Sequence, residues 1–534
     1  MNMKKSQIIT YLSLILFASI LSLSLGQGIS TSLESDATIP NASYYLSEPS
    51  VYERTATDGV IDSDGRKLFY WIQISDIHIN MDYPERLTNF EDFCEDINNI
   101  IEPAFVLSTG DNVDGGSEDP EKHQHYQIEE EHVYFNNTLT SAGFSTDFWY
   151  SGVGNHERYN TAFDRSMYHQ YIRNESQYAF DFTTSWGKYR FVMADTTQEY
   201  GLSNNLCLFG EMKTNKLDHL ESLIQAGDAS NLNDIIVTGH QAINQLWSQR
   251  TSTGNTFSGL IRKSESSVYL TGHNHFENLY NNRKEFLEIH CPSFRDRYMY
   301  RICAMDDDVF SFTDVKHREW PHCVITSPVD GRFYVENMEL DNMLSHDEIR
   351  ILIFDSELPG DISTEVFIDE VSMGSLTYQE SNLWTLDWTP ADYNDGNAHT
   401  LNVQIQSASG TENQTIQFNL SDFTPMEIGG YMRYLIVVPI KEILIGLLVL
   451  LFVAAMANLI VPKIYYLKHR ERLNKLTPED FDKPTDSFIT KHIVKKWFQT
   501  AIMPSSLYIP LFVTTLYAIL GPAFIAPICN DNIG

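Results

Sequence analysis

Five short blocks of this 534-residue chain close apolar runs with a carboxylate, an amide or an imidazole: Ser75-Asp76-Ile77-His78, Gly110-Asp111-Asn112-Val113-Asp114, Gly154-Asn155-His156-Glu157, Gly239-His240 and Gly272-His273-Asn274-His275. Asp and His are borderline-hard ligands suited to zinc, manganese or iron. An Asn beside a His in a tight turn adds an amide oxygen and a second imidazole, which suits a dinuclear metal site. Each glycine is expected to let the backbone turn sharply after its strand, so that the next side chain enters a shared cleft. A lone Asp-x-His is more often a salt-bridged surface pair, and a lone Gly-His a satisfied turn. Their succession between residues 75 and 275 gives them weight as a set.

Strand ends held by a sheet are what must position such residues. Apolar runs at Leu68 to Ile74, Ala104 to Leu107, Phe148 to Val153, Ile235 to Val237 and Val268 to Leu270 read as strands preceding the blocks. Helices are expected over Pro84 to Ile101, Ala162 to Ile172 and Glu211 to Gln225, and a hairpin over Tyr178 to Thr184 and Lys188 to Ala194. Gly115 to Ser145 reads as an acidic insert of loop and helix. Interleaved strands and helices define an α/β layered domain over residues 65–318. Residues 319–424 change pattern. Cys323 to Thr326, Phe333 to Val335, Arg350 to Phe354, Glu365 to Ile368, Leu383 to Trp388 and Leu401 to Gln406 are short runs between turn signals, as in a small immunoglobulin-like β-sandwich.

The flanks concern membranes. Lys4 and Lys5 precede an apolar run to Leu25, so residues 1–26 read as a signal peptide, with an uncleaved anchor as the alternative, and residues 27–64 as a disordered lead-in. An apolar helix over 434–462 is long enough to span a bilayer. The basic residues of 463–500 place that loop in the cytosol, and 501–529 forms a second apolar segment. Asn-x-Ser/Thr acceptors at Asn41, Asn136, Asn174, Asn413 and Asn419 agree with export to the lumen or exterior, through the secretory pathway or at the cell surface. One disulfide among Cys291, Cys303 and Cys323 is plausible in that compartment. A formal net charge of -34 excludes a nucleic-acid surface, because a phosphate backbone would be repelled.

The five blocks resemble the calcineurin-like metallophosphoesterase superfamily: Asp-x-His, Gly-Asp, Gly-Asn-His-Glu, Gly-His and Gly-His-x-His in that order. The whole arrangement is similar to the transmembrane-protein-62-like branch. The resemblance implies a four-layer α/β/β/α sandwich followed by the immunoglobulin-like β-sandwich and C-terminal transmembrane helices. It further implies two divalent metal ions (Zn, Mn or Fe), one held by Asp76, His78 and His275, the other by Asn155, His240 and His273, with Asp111 bridging. His156 would stay off the metals and face the substrate, and with Asp111 it would carry catalysis. The implied activity is hydrolysis of phosphate mono- or diesters by a metal-activated hydroxide, falling as acid protonates the ligands. Asp114 stands where purple acid phosphatases place a metal-binding Tyr, so no tyrosinate-iron site is expected.

Membrane attachment makes lipid-linked phosphates attractive substrates, with nucleotides and phosphoproteins open. The alternative function is a catalytically silent receptor or adaptor binding through the β unit. His123, His125 and His132 are expected on a solvated loop. Glu157 either orients a ligand or caps the following segment, and Asn112 and Asn274 are possible contacts to substrate or bound water. Trp247, Phe276 and Tyr280 are expected to pack in the core.

Overall fold

The computed structural model describes residues 50–116, 127–159, 161–199, 207–227, 231–426, 434–473, 475 and 502–520. The chain divides into two compact units, residues 39–438 and a second formed by residues 1–38 with 439–534.

The first unit opens with fifteen strands: β1 (Val51–Arg54), β2 (Val60–Ile61), β3 (Leu68–Ile74), β4 (Val106–Ser108), β5 (Trp149–Ser151), β6 (Tyr178–Thr183), β7 (Lys188–Met193), β8 (Gly210–Met212), β9 (Asp234–Thr238), β10 (Leu246–Ser248), β11 (Val268–Thr271), β12 (Tyr280–Asn282), β13 (Leu287–His290), β14 (Met299–Asp306) and β15 (Val309–Lys316). One sheet runs β15-β14-β3-β4-β5 with β2 on β3, and a second runs β1-β6-β7-β9-β11-β13-β12. Strand β3 explains the layering. It is buried at every position, so its apolar run shows no alternation. Phe69 and Trp71 face the second sheet, where Trp71 meets Phe191 edge-on at 5.2 Å. Tyr70, Ile72 and Ile74 face outward onto Phe90 and Phe93 of helix Pro84–Asp96. On the far side, Val192, Ile235 and Val237 pack against Leu217, Leu220 and Leu223 of helix Thr214–Gln225. Helix, sheet, sheet and helix are thus the four layers that the resemblance implies. Within each sheet, β3-β4-β5 and β7-β9-β11-β13 are parallel, which gathers their C-terminal ends at one edge.

An Ig-like sandwich follows, built from β16 (His322–Ser327), β17 (Glu348–Phe354), β18 (Ser363–Ile368), β19 (Val371–Gly374), β20 (Thr377–Glu380), β21 (Leu383–Asp387), β22 (His399–Gln406) and β23 (Thr411–Phe418). Its sheets run β16-β17-β21-β20 and β19-β18-β22-β23. It shares apolar clusters with the preceding domain: Val324, Leu352 and Phe354 continue the layer begun by Tyr70, whose ring lies 5.2 Å from that of Phe354. Buried charge joins the two as well. Arg66 makes a two-pronged contact with Glu348 at 2.9 and 3.0 Å, and Arg350 donates to Asp306 at 2.8 Å.

Several expectations change. Residues 51–61 of the expected lead-in supply β1 and β2, because Val51–Arg54 adds in parallel to the edge of β6. Phe333 to Val335 is no strand: Gly331–Phe333 is a 3-10 turn and Tyr334 is buried as core filling, a role that a short apolar run does not distinguish from a strand. Ala162 to Ile172 breaks into a 3-10 turn and a short helix, since the Ser166 hydroxyl accepts from His169 N and starts the helix afresh. The expected helix at Glu211 begins at Thr214, its first residues having joined β8. Cys291, Cys303 and Cys323 form no disulfide. All three are free and buried, Cys303 between the two sheets and Cys291 against the Gln73 carbonyl.

In the second unit, Ile440–Arg472 has a mean hydropathy of 2.8 and is the one described helix long and apolar enough to cross a membrane. The expected second span is represented by the shorter helix Ser505–Leu520, which contains Pro510. The expected signal segment and most of the basic loop lie outside the described residues.

Asp306 is fully buried and is shared by Arg350 and the Thr326 hydroxyl. Removing one partner of a buried pair costs about 3–5 kcal/mol. Arg350→Ala is therefore expected to lower the thermal midpoint of the full chain in detergent while both domains still melt in one transition. Two separated transitions in calorimetry would show that the domains are independent.

Candidate metal centre

The sequence-selected residues sit at the gathered strand ends: Asp76 and His78 after β3, Asp111 after β4, Asn155 and His156 after β5, His240 after β9, His273 and His275 after β11. Main-chain bonds stitch these loops together, with Asp76 N on the Gly110 carbonyl, His78 N on the Asp111 carbonyl and Gly272 N on the His240 carbonyl. Side chains cross between the sheets. The Gln73 amide donates to the Thr271 carbonyl at 3.0 Å, and His273 N donates to Asp76 at 2.9 Å.

The positive backbone angles fall on the candidate ligands rather than on most of the glycines. Asp76, His78, Asp111, His273 and His275 have φ between 50° and 72°. Such conformations cost about 1–3 kcal/mol each and persist only where surroundings enforce them. Of the block glycines only Gly110 has positive φ. Gly154 serves a different need: a Cβ there would lie 2.1 Å from Asp111 Oδ1, so the two loops could not close.

Two groups emerge. Asp76, His78, Asp111 and His275 offer ligand atoms within 4.8 Å of one another, as do Asp111, His240 and His273. His78 Nε2 is 3.3 Å from His275 Nε2, and His275 Nε2 is 3.0 Å from Asp76 Oδ1. His240 Nε2 is 3.1 Å from Asp111 Oδ2 and 3.0 Å from Asn155 Oδ1. Ligands about 2.1 Å from one tetrahedral ion stand roughly 3.4 Å apart, so these spacings fit. Asp76 Oδ1 is buried without a hydrogen-bond partner. The ring nitrogens facing away are held: His78 Nδ1 donates to Asp114 at 2.9 Å, His240 Nδ1 to the Thr109 carbonyl at 2.8 Å and His275 Nδ1 to Asp296 at 2.6 Å. Each bond presents Nε2 to the cluster as the lone-pair atom.

Electrostatics agree. Burial disfavours charge on His240 and His275, yet Asp111 and Asp76 raise the first to about 9, and Asp76 with Asp296 raises the second to about 10. Burial holds His78 and His273 down to about 3. The carboxylates thus favour positive charge at two points, one in each group.

His156 belongs to a third group, with His78 and Asp114. Its Nδ1 donates to the Asp114 carbonyl at 2.5 Å, and its Nε2 lies 2.7 Å from the Tyr159 hydroxyl and 3.7 Å from Asp111 Oδ2. Of its two expected roles Glu157 takes the first, bracing the loop that carries Asp111. Its buried carboxylate accepts from the backbone N–H groups of Asp111, Asn112, Val113 and Gly154 at 2.6–3.3 Å. Burial and the nearby Asp111 push it up to about 7. Asn112 joins this network through Ser108 and Gly152, and Asn274 bonds Gln245 and His290, so both are tied within the fold. His132 is buried on helix Glu129–Ser141 with Nδ1 on the Ile128 carbonyl, not on a solvated loop, while His123 and His125 lie outside the described residues. Tyr280 packs in the core as expected, but Phe276 is exposed.

Sequence reasoning missed Asp114, Asp296 and Tyr159 as partners of ligand or neighbouring imidazoles. Asp114 was discoverable from its place three residues after Asp111. Asp296 had no signal, because it reaches His275 from a separate turn.

This edge of ligand-bearing loops on a four-layer sandwich marks a calcineurin-like phosphoesterase domain, and residues 71–277 match the family model of that description. Residues 317–424 match that of the TMEM62 Ig-like domain, so the chain combines the two in the manner of the transmembrane-protein-62-like branch. Transmembrane protein 62 of Mus musculus is 26% identical over 490 residues, covering 88% of this chain and 72% of that protein. An Arabidopsis thaliana protein named as a metallophosphoesterase is 23% identical over 462 residues, covering 70% of this chain and 61% of its own length.

Glu157→Gln keeps the shape but turns an N–H₂ toward backbone donors, and an unsatisfied buried donor costs about 1–3 kcal/mol. The variant is expected to unfold at lower temperature and to hold less metal by elemental analysis. Gly154→Ala should displace Asp111 and lose metal more completely.

Proposed function

We propose that this chain is a membrane-attached, metal-dependent phosphoesterase, with Asp76, His78 and His275 holding one divalent ion, Asn155, His240 and His273 a second, and Asp111 between them. The observation carrying this reading is the convergence of imidazole nitrogens and two buried carboxylates into two groups that share Asp111. When bound, such a pair of ions supplies Lewis acidity and lowers the pKa of a nearby water. Asp111 Oδ1 accepts from the His156 backbone N–H at 2.9 Å, which leaves Oδ2 turned toward the imidazoles. His156, its Nδ1 fixed on the Asp114 carbonyl, offers Nε2 as the atom that delivers a proton to the leaving oxygen. The Asp111 and Asp114 carboxylates each place an oxygen 3.7 Å from its ring nitrogens. Arg295, with its Nη2 3.1 Å from the His275 ring, adds positive charge beside the cluster for an anionic substrate.

Exposure of Asn136, Asn174 and Asn413 supports a lumenal or extracellular catalytic domain, as do the basic residues Lys463, Lys468, Arg470 and Arg472 at the far end of the apolar helix.

The full chain in detergent is expected to carry two metals and to hydrolyse 4-nitrophenyl phosphate or bis(4-nitrophenyl) phosphate, with activity lost to a chelator. Asp111→Ala should abolish both metal content and turnover. His156→Ala should keep the metals yet slow turnover by about 10²–10⁴-fold, the usual contribution of a positioned acid. Asn155→Ala should loosen one ion only. Two bound metals with no product sensitive to Asp111→Ala or His156→Ala would sink the enzyme reading.

A further inference from the structure

Among the described residues of the phosphoesterase domain, the exposed large apolar side chains are Met81, Leu208 and Phe276, at 44%, 41% and 38% exposure. All three flank the metal groups. Met81 follows Asn80, whose amide donates to Asp114 at 2.7 Å. The Leu208 carbonyl is 3.2 Å from His273 Nε2, and Phe276 is the neighbour of His275. Scattered exposed apolar residues need no explanation, but a set confined to one edge marks a surface that meets something apolar.

What it meets is indicated by where the chain goes next. Beyond the Ig-like domain, the segment Tyr434–Val437 returns to this same edge. Ile436 is fully buried against Ala242 and Leu279, and the Val438 carbonyl accepts from the Asn244 amide at 2.7 Å. Ala242 and Asn244 lie two and four residues beyond His240, and Leu279 four beyond His275. The apolar helix begins at Ile440, two residues past Val438, a link that reaches at most about 7 Å. The Val438 carbonyl is thus held beside the loops that carry the candidate ligands, and from there the sequence runs on into the apolar helix. Val437, the last residue of the docked segment, is itself an exposed apolar side chain.

We propose that the site works at the bilayer surface on a phosphate ester carried by a lipid of the same membrane, with Met81, Leu208 and Phe276 as the apolar rim that meets the lipid. This rests on the phosphoesterase reading above. In the step it describes, water oxygen bonds to phosphorus, the ester P–O bond breaks, and the leaving alcohol takes the proton.

The test uses the full chain in phosphatidylcholine vesicles and two matched pairs of probes: hexadecyl against ethyl 4-nitrophenyl phosphate, and phosphatidic acid against glycerol 3-phosphate. Confinement to one surface should favour the lipid member of the pair that is hydrolysed by about tenfold or more. Met81→Ser with Phe276→Ser should remove most of that preference and leave the rate on the soluble member unchanged. Independently of turnover, Phe276→Trp should add emission that brominated phosphatidylcholine quenches. Equal rates within a hydrolysed pair, or unquenched emission from Phe276→Trp, would overturn the lipid assignment while leaving a phosphoesterase. Hydrolysis of no probe, with that emission still quenched, would leave a membrane-seated rim and overturn the enzyme reading together with the lipid substrate.

Discussion

The geometry of this protein depends on one buried carboxylate. Glu157 gathers the main-chain N–H groups of Asp111, Asn112, Val113 and Gly154, four donors from two loops that end two neighbouring strands. A carboxylate can accept that many because its two oxygens offer about four lone-pair sites. Without it the loops would leave several donors buried and unpaired, and Asp111 would have no reason to hold φ at 53°. Its position beside Asn155 and His156 places the brace and the chemistry on one turn.

The remaining strain is contained in the same manner. Loops from both sheets bond to one another, so the left-handed residues at 76, 78, 273 and 275 are held by partners across the edge as well as by their own strands. The imidazoles are then aimed from behind, by Asp114, the Thr109 carbonyl and Asp296. Rigid placement matters here because a ligand set that had to reorganise on binding would lose affinity to that reorganisation.

Much of this was legible in the residues. The five blocks named the members of both groups, and the switch from interleaved helices to short strands marked the passage to the Ig-like domain. What stayed hidden has physical causes. Strand β14 is masked by Arg301, which is fully buried and paired with Asp314, so a charge sits where periodicity looks for an apolar residue. Glu157 was ambiguous because its partners are backbone groups, which carry no sequence signature. The roles of the glycines were half right: Gly110 turns the chain, whereas Gly154 makes room. The cysteines misled through proximity in sequence, since Cys291, Cys303 and Cys323 are separate core residues whose thiols do not pair.

The placement of β14 bears on how the chain folds during synthesis. Strand β3 lies between β4 and β14, and its register with β14 pairs Ile72 with Ile302, across more than two hundred residues. Until that late strand has emerged, β3 has an open edge and the inner sheet is incomplete. Non-local pairing of this kind slows folding, because the loop must close before its contacts reward it. The outer face of β3 also waits for Phe354 of the Ig-like domain to cover Tyr70. A nascent chain can thus present every candidate ligand from Asp76 to His275 and still lack the frame that brings them together, so the candidate metal site waits on the stretch after residue 300.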